Sequence, residues 1–215
     1  MITQLYEKFC YGHGAEIGGG VLPFCKKENT TFIDKFVWTT PDASPNADIV
    51  ADAENIPVAD ESFDWIYSSY CLEHCFDTIA VLKEWQRILK SEGVLFLVLP
   101  HYAKIFDRFR ERTTFEHHIK EYEEETHDYH AHDEEIKESW LKLPKEELNV
   151  EGFEKLYGYP IWDFDKRIET GVIHYHVWNQ DDIVKLLQYI GMEILHVQED
   201  SKERRGSFIV ISKKV

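Results

Sequence analysis

Three consecutive glycines close the first strand-like stretch of the sequence and could bring the backbone close to a ligand. They belong to the motif Glu16-Ile17-Gly18-Gly19-Gly20. Glycine lacks a Cβ atom, so the chain can adopt left-handed conformations there and approach a bound group closely. At the carboxyl edge of a parallel sheet, such a loop indicates a nucleotide-type ligand. A purely structural turn would favour the same residues, so the motif alone leaves both interpretations open.

Two acidic residues end the next two predicted strands and could complete a site for such a ligand. Asp34, at the end of the second strand, is placed to accept hydrogen bonds from both hydroxyls of a ribose. Asp52, at the end of the third strand and beside Ala53, could accept a hydrogen bond from an adenine amino group. A dinucleotide fingerprint would need a glycine three residues after Gly20, where this chain has Pro23. The pattern therefore favours a nucleoside-type cofactor other than NAD.

Histidines are concentrated in the middle of the chain, where eight of the eleven lie between His101 and His176. Imidazole is the usual general base near neutral pH. His101 follows the fifth predicted strand and His176 precedes the last helix, so both adjoin the expected edge of the sheet. They are the leading candidates for a base, followed by Asp107 and His117. Each of them could equally be a surface residue or a structural hydrogen-bonding group.

A second histidine pattern could bind a metal ion. Imidazole and carboxylate groups at short spacing suit Zn or Mn, and this run contains His127, Asp128, His130, His132 and Asp133. The same run is typical of a solvated acidic helix, and it lacks the ligand spacing of a tetrahedral site. The sequence therefore predicts no bound metal.

Three arginines alternate nearby, at Arg108, Arg110 and Arg112. Their guanidinium groups could bind a carboxylate or phosphate of a substrate, or they could form salt bridges to the adjacent acidic helix.

The elements that position these residues can be predicted from the hydrophobic pattern. Strands are expected at residues 15–18, 31–36, 48–51, 63–67, 94–99, 193–197 and 207–212. Apolar residues run together in the first five, as in parallel strands covered on both faces, whereas the last two are joined by a short turn and must be antiparallel. Helices are expected at 78–89, behind Asp77 as N-cap, and at 180–190, behind Asn179. The prediction is an α/β fold with a doubly wound, mostly parallel sheet of seven strands, the last one antiparallel, and helices on both faces.

Residues 101–175 interrupt this rhythm and are too long for a simple connection. We predict one domain over residues 1–215, in which 101–175 form a mainly helical insertion after the fifth strand. Residues 116–139 predict a polar helix or helix pair, whereas 152–164 carry aromatic residues without a helical period.

Composition limits the partners and the compartment. The formal net charge is −16, which disfavours nucleic acid, and no apolar run approaches the roughly 20 residues that span a bilayer. The four cysteines form no Cys-x-x-Cys pair and are expected to be reduced. We expect a cytoplasmic protein without membrane insertion, and the sequence leaves its oligomeric state open.

Several stretches together resemble the class I, type 11 family of S-adenosylmethionine-dependent methyltransferases. They are EIGGG at 16–20, Asp34, ADAENIP at 51–57, ESFDWIYSSYCLEH at 61–74 and RILKSEG at 87–93. The chain departs from the family pattern at two places. Leu22 stands where the family usually has a third small residue, glycine, and Ser91-Glu92-Gly93 stands where it usually has Pro-Gly. By this resemblance Glu73-His74 is a mainly structural, helix-starting pair.

The resemblance implies S-adenosyl-L-methionine as cofactor and divides the binding residues among its parts. The methionine and ribose end would be held by Glu16, Gly18, Gly19 and Gly20, the ribose by Asp34, the adenine by Asp52 and Ala53, and the floor of the pocket would be Ser69 and Tyr70.

The second half is similar to a narrower group, the methyltransferase domains found with bacterial surface-polysaccharide machinery. The similarity rests on PH at 100–101, FDRFR at 106–110, TTFEH at 113–117 and IHYHVW at 173–178. It implies O-methylation of a sugar, nucleotide sugar or saccharide, bound by the insertion as a cap. Aromatic residues that could stack on a sugar are Tyr159, Trp162, Tyr175 and Trp178, although core packing is their alternative role. Two other functions stay open: N-methylation of an amino sugar or other small amine, and a catalytically silent cofactor-binding scaffold.

Overall fold

A computed structural model describes residues 2–37, 46–124 and 130–215 of the chain. Within these residues, seven strands form one sheet: β1 (Gly14–Ile17), β2 (Thr30–Asp34), β3 (Ile49–Val50), β4 (Phe63–Ser69), β5 (Leu89–Pro100), β6 (Met192–Gln198) and β7 (Ser207–Lys214). Their order is β3-β2-β1-β4-β5-β7-β6. Strands β1 to β5 pair in parallel, and β7 is antiparallel to both of its neighbours. The predicted doubly wound, mostly parallel sheet is confirmed.

The described residues also form seven α-helices: α1 (Ile2–Phe9), α2 (Thr78–Ile88), α3 (Phe115–Glu124), α4 (Asp133–Leu141), α5 (Val150–Tyr157), α6 (Phe164–Glu169) and α7 (Gln180–Tyr189). The Asp77 side chain caps α2 by accepting a hydrogen bond from the Ala80 amide at 2.8 Å. Asn179 caps α7 in a reciprocal capping box with Asp182. Both predicted N-caps are confirmed. In the described residues, no helix is long and apolar enough to cross a membrane.

Alternating side chains divide the sheet into two covered faces. One face of β5 packs Leu95, Leu97 and Leu99 against the apolar sides of α2 and α7. The intervening residues, including Phe96 and Val98, form a second cluster that α1 covers. Parallel strands in the middle of a sheet need such cover on both sides, which explains their continuous apolar sequence. Helix α1 was absent from the sequence prediction, because eight residues carry too short a periodic signal.

The insertion builds a small apolar core together with Phe76, which follows β4. Its buried members are Phe76, Ile136, Trp140, Leu143, Ile161, Ile173 and Tyr175. The predicted polar helix region is divided into α3 and α4, with residues 125–129 between them outside the described part of the chain. The sequence showed no helical period over 152–164, but α5 covers the first part of this stretch. It begins behind Asn149, whose side chain accepts from the Gly152 amide at 3.0 Å. It ends at Gly158, which has a φ of +79°.

Candidate active site

A cavity of about 600 Å³ opens at the carboxyl ends of β1 to β4. From the loops after these strands it is lined by Gly18, Gly20, residues 34–36, residues 51–54, Tyr70, Cys71 and residues 74–76. The insertion lines its other side with His130, Tyr157, Tyr175 and residues 168–172. Sheet and insertion therefore contribute to the same cavity, at the edge where open α/β sheets bind their ligands.

The glycine loop after β1 has the conformation that its sequence suggests. Gly18 has a φ of +74° and Gly20 a φ of +58°, in the left-handed region that favours glycine. A Cβ atom at Gly20 would meet no atom within 4 Å. The backbone at Gly20 therefore borders open cavity space, where a ligand can approach it closely.

Glu16 stabilises this loop through hydrogen bonds to its backbone. Its buried carboxylate accepts hydrogen bonds from the amides of Phe24 and Cys25, at 2.8 and 2.7 Å. Burial raises the pKa of Glu16, and these amide bonds oppose that rise. Neither Glu16 nor Gly19 lines the cavity as the structure describes it. The structure thus places Glu16 where its carboxylate binds the backbone of the loop.

Asp34 lies at the cavity end of β2, almost fully buried. Its Oδ2 accepts from the Gly20 amide at 3.0 Å, and its Oδ1 accepts from the Phe36 amide at 2.9 Å. A carboxylate oxygen can accept more than one hydrogen bond, so both oxygens retain capacity toward the cavity. This geometry suits a diol such as a ribose.

The residues predicted to bind the adenine and those predicted to form the floor of the pocket differ in whether they line the cavity. Asp52 and Ala53 both line the cavity, and the Asp52 carboxylate lies 2.6 Å from the Lys35 ammonium group. Tyr70 also lines it, with a φ of +54° that is rare for a residue other than glycine. Ser69 does not line it, and its buried hydroxyl has no hydrogen-bond partner within the described residues. The floor of the cavity is therefore formed by Tyr70 and not by Ser69.

His74 is the functional candidate that the sequence analysis treated as structural. It lines the cavity, and its Nδ1 lies 2.8 Å from the carbonyl oxygen of Ile173, 99 residues away. Nδ1 must donate to a carbonyl, so Nε2 is left as the unprotonated acceptor of a neutral ring. Burial lowers the pKa of His74 to about 3, which keeps the ring neutral throughout the physiological range.

Two buried acidic residues stand behind His74. The His174 ring lies edge-on to it, with centroids 4.8 Å apart, and His174 Nδ1 is 2.6 Å from Oδ2 of Asp107. Glu73 is fully buried, and neither of its carboxylate oxygens has a hydrogen-bond partner in the described part of the chain. Burial raises the pKa of Glu73 to about 7. The wall of the cavity at this point thus contains several groups able to share a proton.

The four residues predicted as catalytic candidates do not line the cavity that the structure describes. The His101 side chain accepts a hydrogen bond from the Ala103 amide at the end of β5. Asp107 is buried against His174, as described above. His117 and His176 lie around Glu121. A position near a strand end in the sequence therefore did not predict where these side chains point.

The three alternating arginines form salt bridges within the protein. Arg108 lies 2.7 Å from Glu147, Arg110 lies 3.1 Å from Glu135, and Arg112 lies 3.1 Å from Asp182. Among the four predicted stacking aromatics, Tyr175 lines the cavity and the other three do not. Tyr157, which the sequence analysis did not select, lines it as well.

The predicted His-rich run does not form one group in the described residues. His130 lines the cavity and lies 2.9 Å from Asp133, whereas His132 turns away toward Glu121, also at 2.9 Å. His127 and Asp128 lie outside the described residues.

Comparison with known proteins agrees with this geometry. A family model described as a methyltransferase domain matches residues 23–97. A search of curated proteins finds no significant match to the chain. A solved SAM-dependent methyltransferase from Thermotoga maritima, a possible histamine N-methyltransferase, is 15% identical with a TM-score of 0.53, covering 100% of this chain and 87% of that chain.

Two further solved structures share the fold. A SAM-dependent methyltransferase from Mesorhizobium loti is 14% identical with a TM-score of 0.53, covering 99% of this chain and 96% of its own. A protein from Pyrococcus horikoshii is 12% identical with a TM-score of 0.55, and the alignment covers 100% of this chain and 86% of that chain. At such identities these similarities establish the fold alone. Residues 23–97 thus carry a methyltransferase domain, whose cofactor is S-adenosylmethionine, and Asp34 within it forms an open cradle with Gly20.

Proposed function

We propose that the protein methylates a hydroxyl group of a sugar or saccharide, bound between the sheet edge and the insertion formed by 101–175. Bound S-adenosylmethionine supplies a methyl group on a positively charged sulfur, which an acceptor oxygen can attack. The observation that carries the proposal is the position of His74 on the cavity wall, with Nδ1 bonded to the Ile173 carbonyl and Nε2 free to accept a proton.

The cofactor half of the cavity would be held by the loops after β1 to β4. Asp34 would accept from the ribose hydroxyls, and the backbone at Gly18 and Gly20 would border the methionine end. Ala53 and Asp52 would contact the adenine. Glu16 would act indirectly, because its carboxylate is committed to the amides of the loop.

His74 would serve as the general base. An alcohol oxygen that is forming a bond to carbon holds its proton weakly, so a neutral imidazole of low pKa is a sufficient acceptor. The His74 Nδ1 bond to Ile173 fixes the ring tautomer, and this orientation is what a positioned base needs. His101, His176, Asp107 and His117 would then act, if at all, by holding other groups in place.

The acceptor half of the cavity favours a polar, uncharged molecule. The insertion contributes the aromatic faces of Tyr157 and Tyr175, together with the polar side chains of Glu169 and Thr170. Aromatic faces beside hydrogen-bonding groups suit a sugar ring. Among the described residues, the cavity lining contains one ammonium group, that of Lys35, and four carboxylates, at Asp34, Asp52, Glu54 and Glu169. Within the sugar class, this balance favours a neutral glycoside over an anionic nucleotide sugar.

The same carboxylates support a second candidate function. A cationic amine would be attracted by Glu54 and Glu169, and an amine can lose its proton to solvent before it reacts. N-methylation of an amino sugar or other small amine is therefore the alternative, and it would not depend on His74.

Methyl transfer from labelled S-adenosylmethionine to a panel of neutral glycosides, nucleotide sugars and amines tests both. We expect transfer to a glycoside oxygen, identified by NMR of the product. His74→Asn retains an amide donor that can reach Ile173 but removes Nε2, and it should lower kcat by about 10² to 10⁴-fold with cofactor affinity unchanged. His130→Ala, which removes another cavity-lining histidine, is the control. Turnover of amines only, unaffected by His74→Asn, would overturn the sugar proposal in favour of the amine.

A further inference from the structure

Four potential metal ligands converge in the described residues, outside the cavity. His117 and Glu121 lie one turn apart on α3, His132 precedes α4, and His176 precedes α7. The Nε2 atoms of the three histidines each lie 2.9 Å from a carboxylate oxygen of Glu121. The four ligand atoms all fall within 4.8 Å of one another. Distant parts of the chain thus bring three imidazoles around one carboxylate.

Hydrogen bonding within the protein leaves this cluster incompletely satisfied. Of the three short contacts to Glu121, only that from His132 has the geometry of a hydrogen bond. The Nε2 atoms of His117 and His176, and Oε2 of Glu121, are buried without a hydrogen-bond partner in the described part of the chain. Buried polar atoms are rarely left unpaired in native proteins, so their convergence points to a missing ligand.

We propose that His117, Glu121, His132 and His176 bind one divalent transition-metal ion, with Zn²⁺ as the preferred occupant. Three imidazole nitrogens and one carboxylate oxygen match the ligand types that Zn²⁺ takes in proteins, whereas Mg²⁺ and Ca²⁺ prefer oxygen alone. Bonds of about 2.0 to 2.1 Å place tetrahedral ligand atoms about 3.4 Å apart. Small movements of the side chains give that spacing, since the ligand atoms now lie 2.9 Å from Glu121 and within 4.8 Å of one another.

The surroundings assign the ion a structural role. Four protein ligands close a tetrahedral shell, so no position is left for a substrate. The outer nitrogen of His176, Nδ1, lies 3.3 Å from the hydroxyl of Thr78 on the first turn of α2, which would fix the ring in the ligating tautomer. Phe76 lies between the cluster and the cavity, with ring centroids 6.2 Å from His132 and 6.4 Å from His176. The ion would join α3, the start of α4 and residue 176 directly behind the cavity wall.

Metal analysis of the purified protein, followed by Zn²⁺ titration of chelator-treated protein, tests the site. We expect about one equivalent of Zn²⁺ and a rise in unfolding temperature on adding Zn²⁺, since an ion that binds only the native state must stabilise it. His176→Asn keeps a polar group near Thr78 but removes the ligand nitrogen. His176→Asn and His132→Ala each remove a direct ligand. Each should therefore lower the affinity for Zn²⁺ by more than the roughly 10- to 100-fold that losing an outer-shell partner of a ligand costs.

His130→Ala is the matched control, because His130 lies two residues from His132 but contacts Asp133 instead. It should retain the Zn²⁺ affinity of the unmodified protein. Loss of binding in His130→Ala with retention in His132→Ala would overturn the assignment in favour of the exposed histidine run. Co²⁺ added to the chelator-treated, unmodified protein gives a readout that needs no variant, and we expect the intense visible bands of a tetrahedral site. Absence of these bands together with no Zn²⁺-dependent stabilisation would overturn the proposal.

Discussion

The side chain of Cys71 occupies the space that a Cβ atom at Gly18 would require. Such a Cβ atom would collide with the Cys71 sulfur and approach its Cβ to 2.6 Å. Gly18 also has a φ of +74° and donates its amide to the Ile33 carbonyl at 2.9 Å. Packing and backbone conformation therefore select glycine independently at the point where β1 meets the cavity.

We expect Gly18→Ala to abolish measurable binding of S-adenosylmethionine, because the collision with Cys71 must displace the loop that lines the cavity. Thermal-shift measurements with the cofactor would show this as loss of the ligand-dependent stabilisation. Gly191→Ala is the control, since its φ is +84° but a Cβ atom there meets nothing within 4 Å. It should lose roughly 1 to 2 kcal/mol from the left-handed backbone alone and keep cofactor binding. Equal cofactor affinity in the two variants would contradict this interpretation.

Asp34→Ala should weaken cofactor binding at least about tenfold, because a hydrogen bond to a charged group contributes roughly 1.5 to 3 kcal/mol. It also removes the acceptor for the Gly20 and Phe36 amides, which should loosen the loop. Calorimetric titration with S-adenosylmethionine measures the loss. Asp60→Ala, which removes an exposed carboxylate bound to Arg87, should leave the affinity unchanged. An unaltered affinity in Asp34→Ala would place the ribose elsewhere.

Glu73 should make the protein less stable as pH rises from about 4.5 to 7. Burial raises its pKa from 4.5 to about 7, so the native state holds a proton there that the unfolded state has released. This contribution to stability is complete below pH 4.5 and is lost as pH rises through 7. Glu73→Gln keeps the neutral form at every pH and should be more stable than the unmodified protein at pH 8 by about 3 kcal/mol.

Urea unfolding at pH 5 and pH 8 measures this difference. The advantage of Glu73→Gln should shrink at pH 5, where the Glu73 carboxyl of the folded unmodified protein is protonated and as neutral as the amide of the variant. A stability difference that is the same at both pH values would show that Glu73 is charged in the folded state.

Arg110 should be worth far more to stability than its neighbour Arg112. Its buried guanidinium donates to the carbonyl oxygens of His174 and Tyr175, at 2.7 and 2.8 Å. Arg110→Ala would leave these carbonyl oxygens without their donor and remove the cation that lies 3.7 Å from the buried Asp107 carboxylate, at a cost of about 3 to 5 kcal/mol. Arg112→Ala breaks a more exposed pair with Asp182 and should cost about 0.2 to 1 kcal/mol. Denaturant unfolding of both variants compares them, and similar losses would contradict the assigned role of Arg110.

The sheet and its two best helices could be predicted because their signals are local. Asp77 and Asn179 each cap a helix through atoms two or three residues away. Helix α5 was missed because Gly152 interrupts its eight residues, although Asn149 and Gly158 carried the capping signals at its ends. Short helices of this kind depend on tertiary packing, which the sequence pattern does not contain.

The cofactor residues and the histidines of the site differ in the same way in how far the sequence predicts them. Strand ends define the edge where Asp34 and the glycines meet, so their positions followed from the sequence. The tautomer of His74 depends on a carbonyl 99 residues away, and the direction of His176 depends on Glu121. The four-residue spacing of His117 and Glu121, one helical turn, was a usable signal for the metal cluster. Its other two members come from separate segments.

The return of the insertion to the sheet has a consequence for substrate exchange. The Tyr175 amide donates to the Glu73 carbonyl at 2.9 Å, and the Ile173 carbonyl bonds to His74 at 2.8 Å, so this segment is latched to the loop after β4. The Arg110 guanidinium donates to two carbonyl oxygens in the same segment, those of His174 and Tyr175. These hydrogen bonds fix residues 173–176 at this end of the cavity. Exchange of substrate and product would then depend on other segments that line the cavity, among them 168–172 from the insertion and 51–54 from the sheet edge.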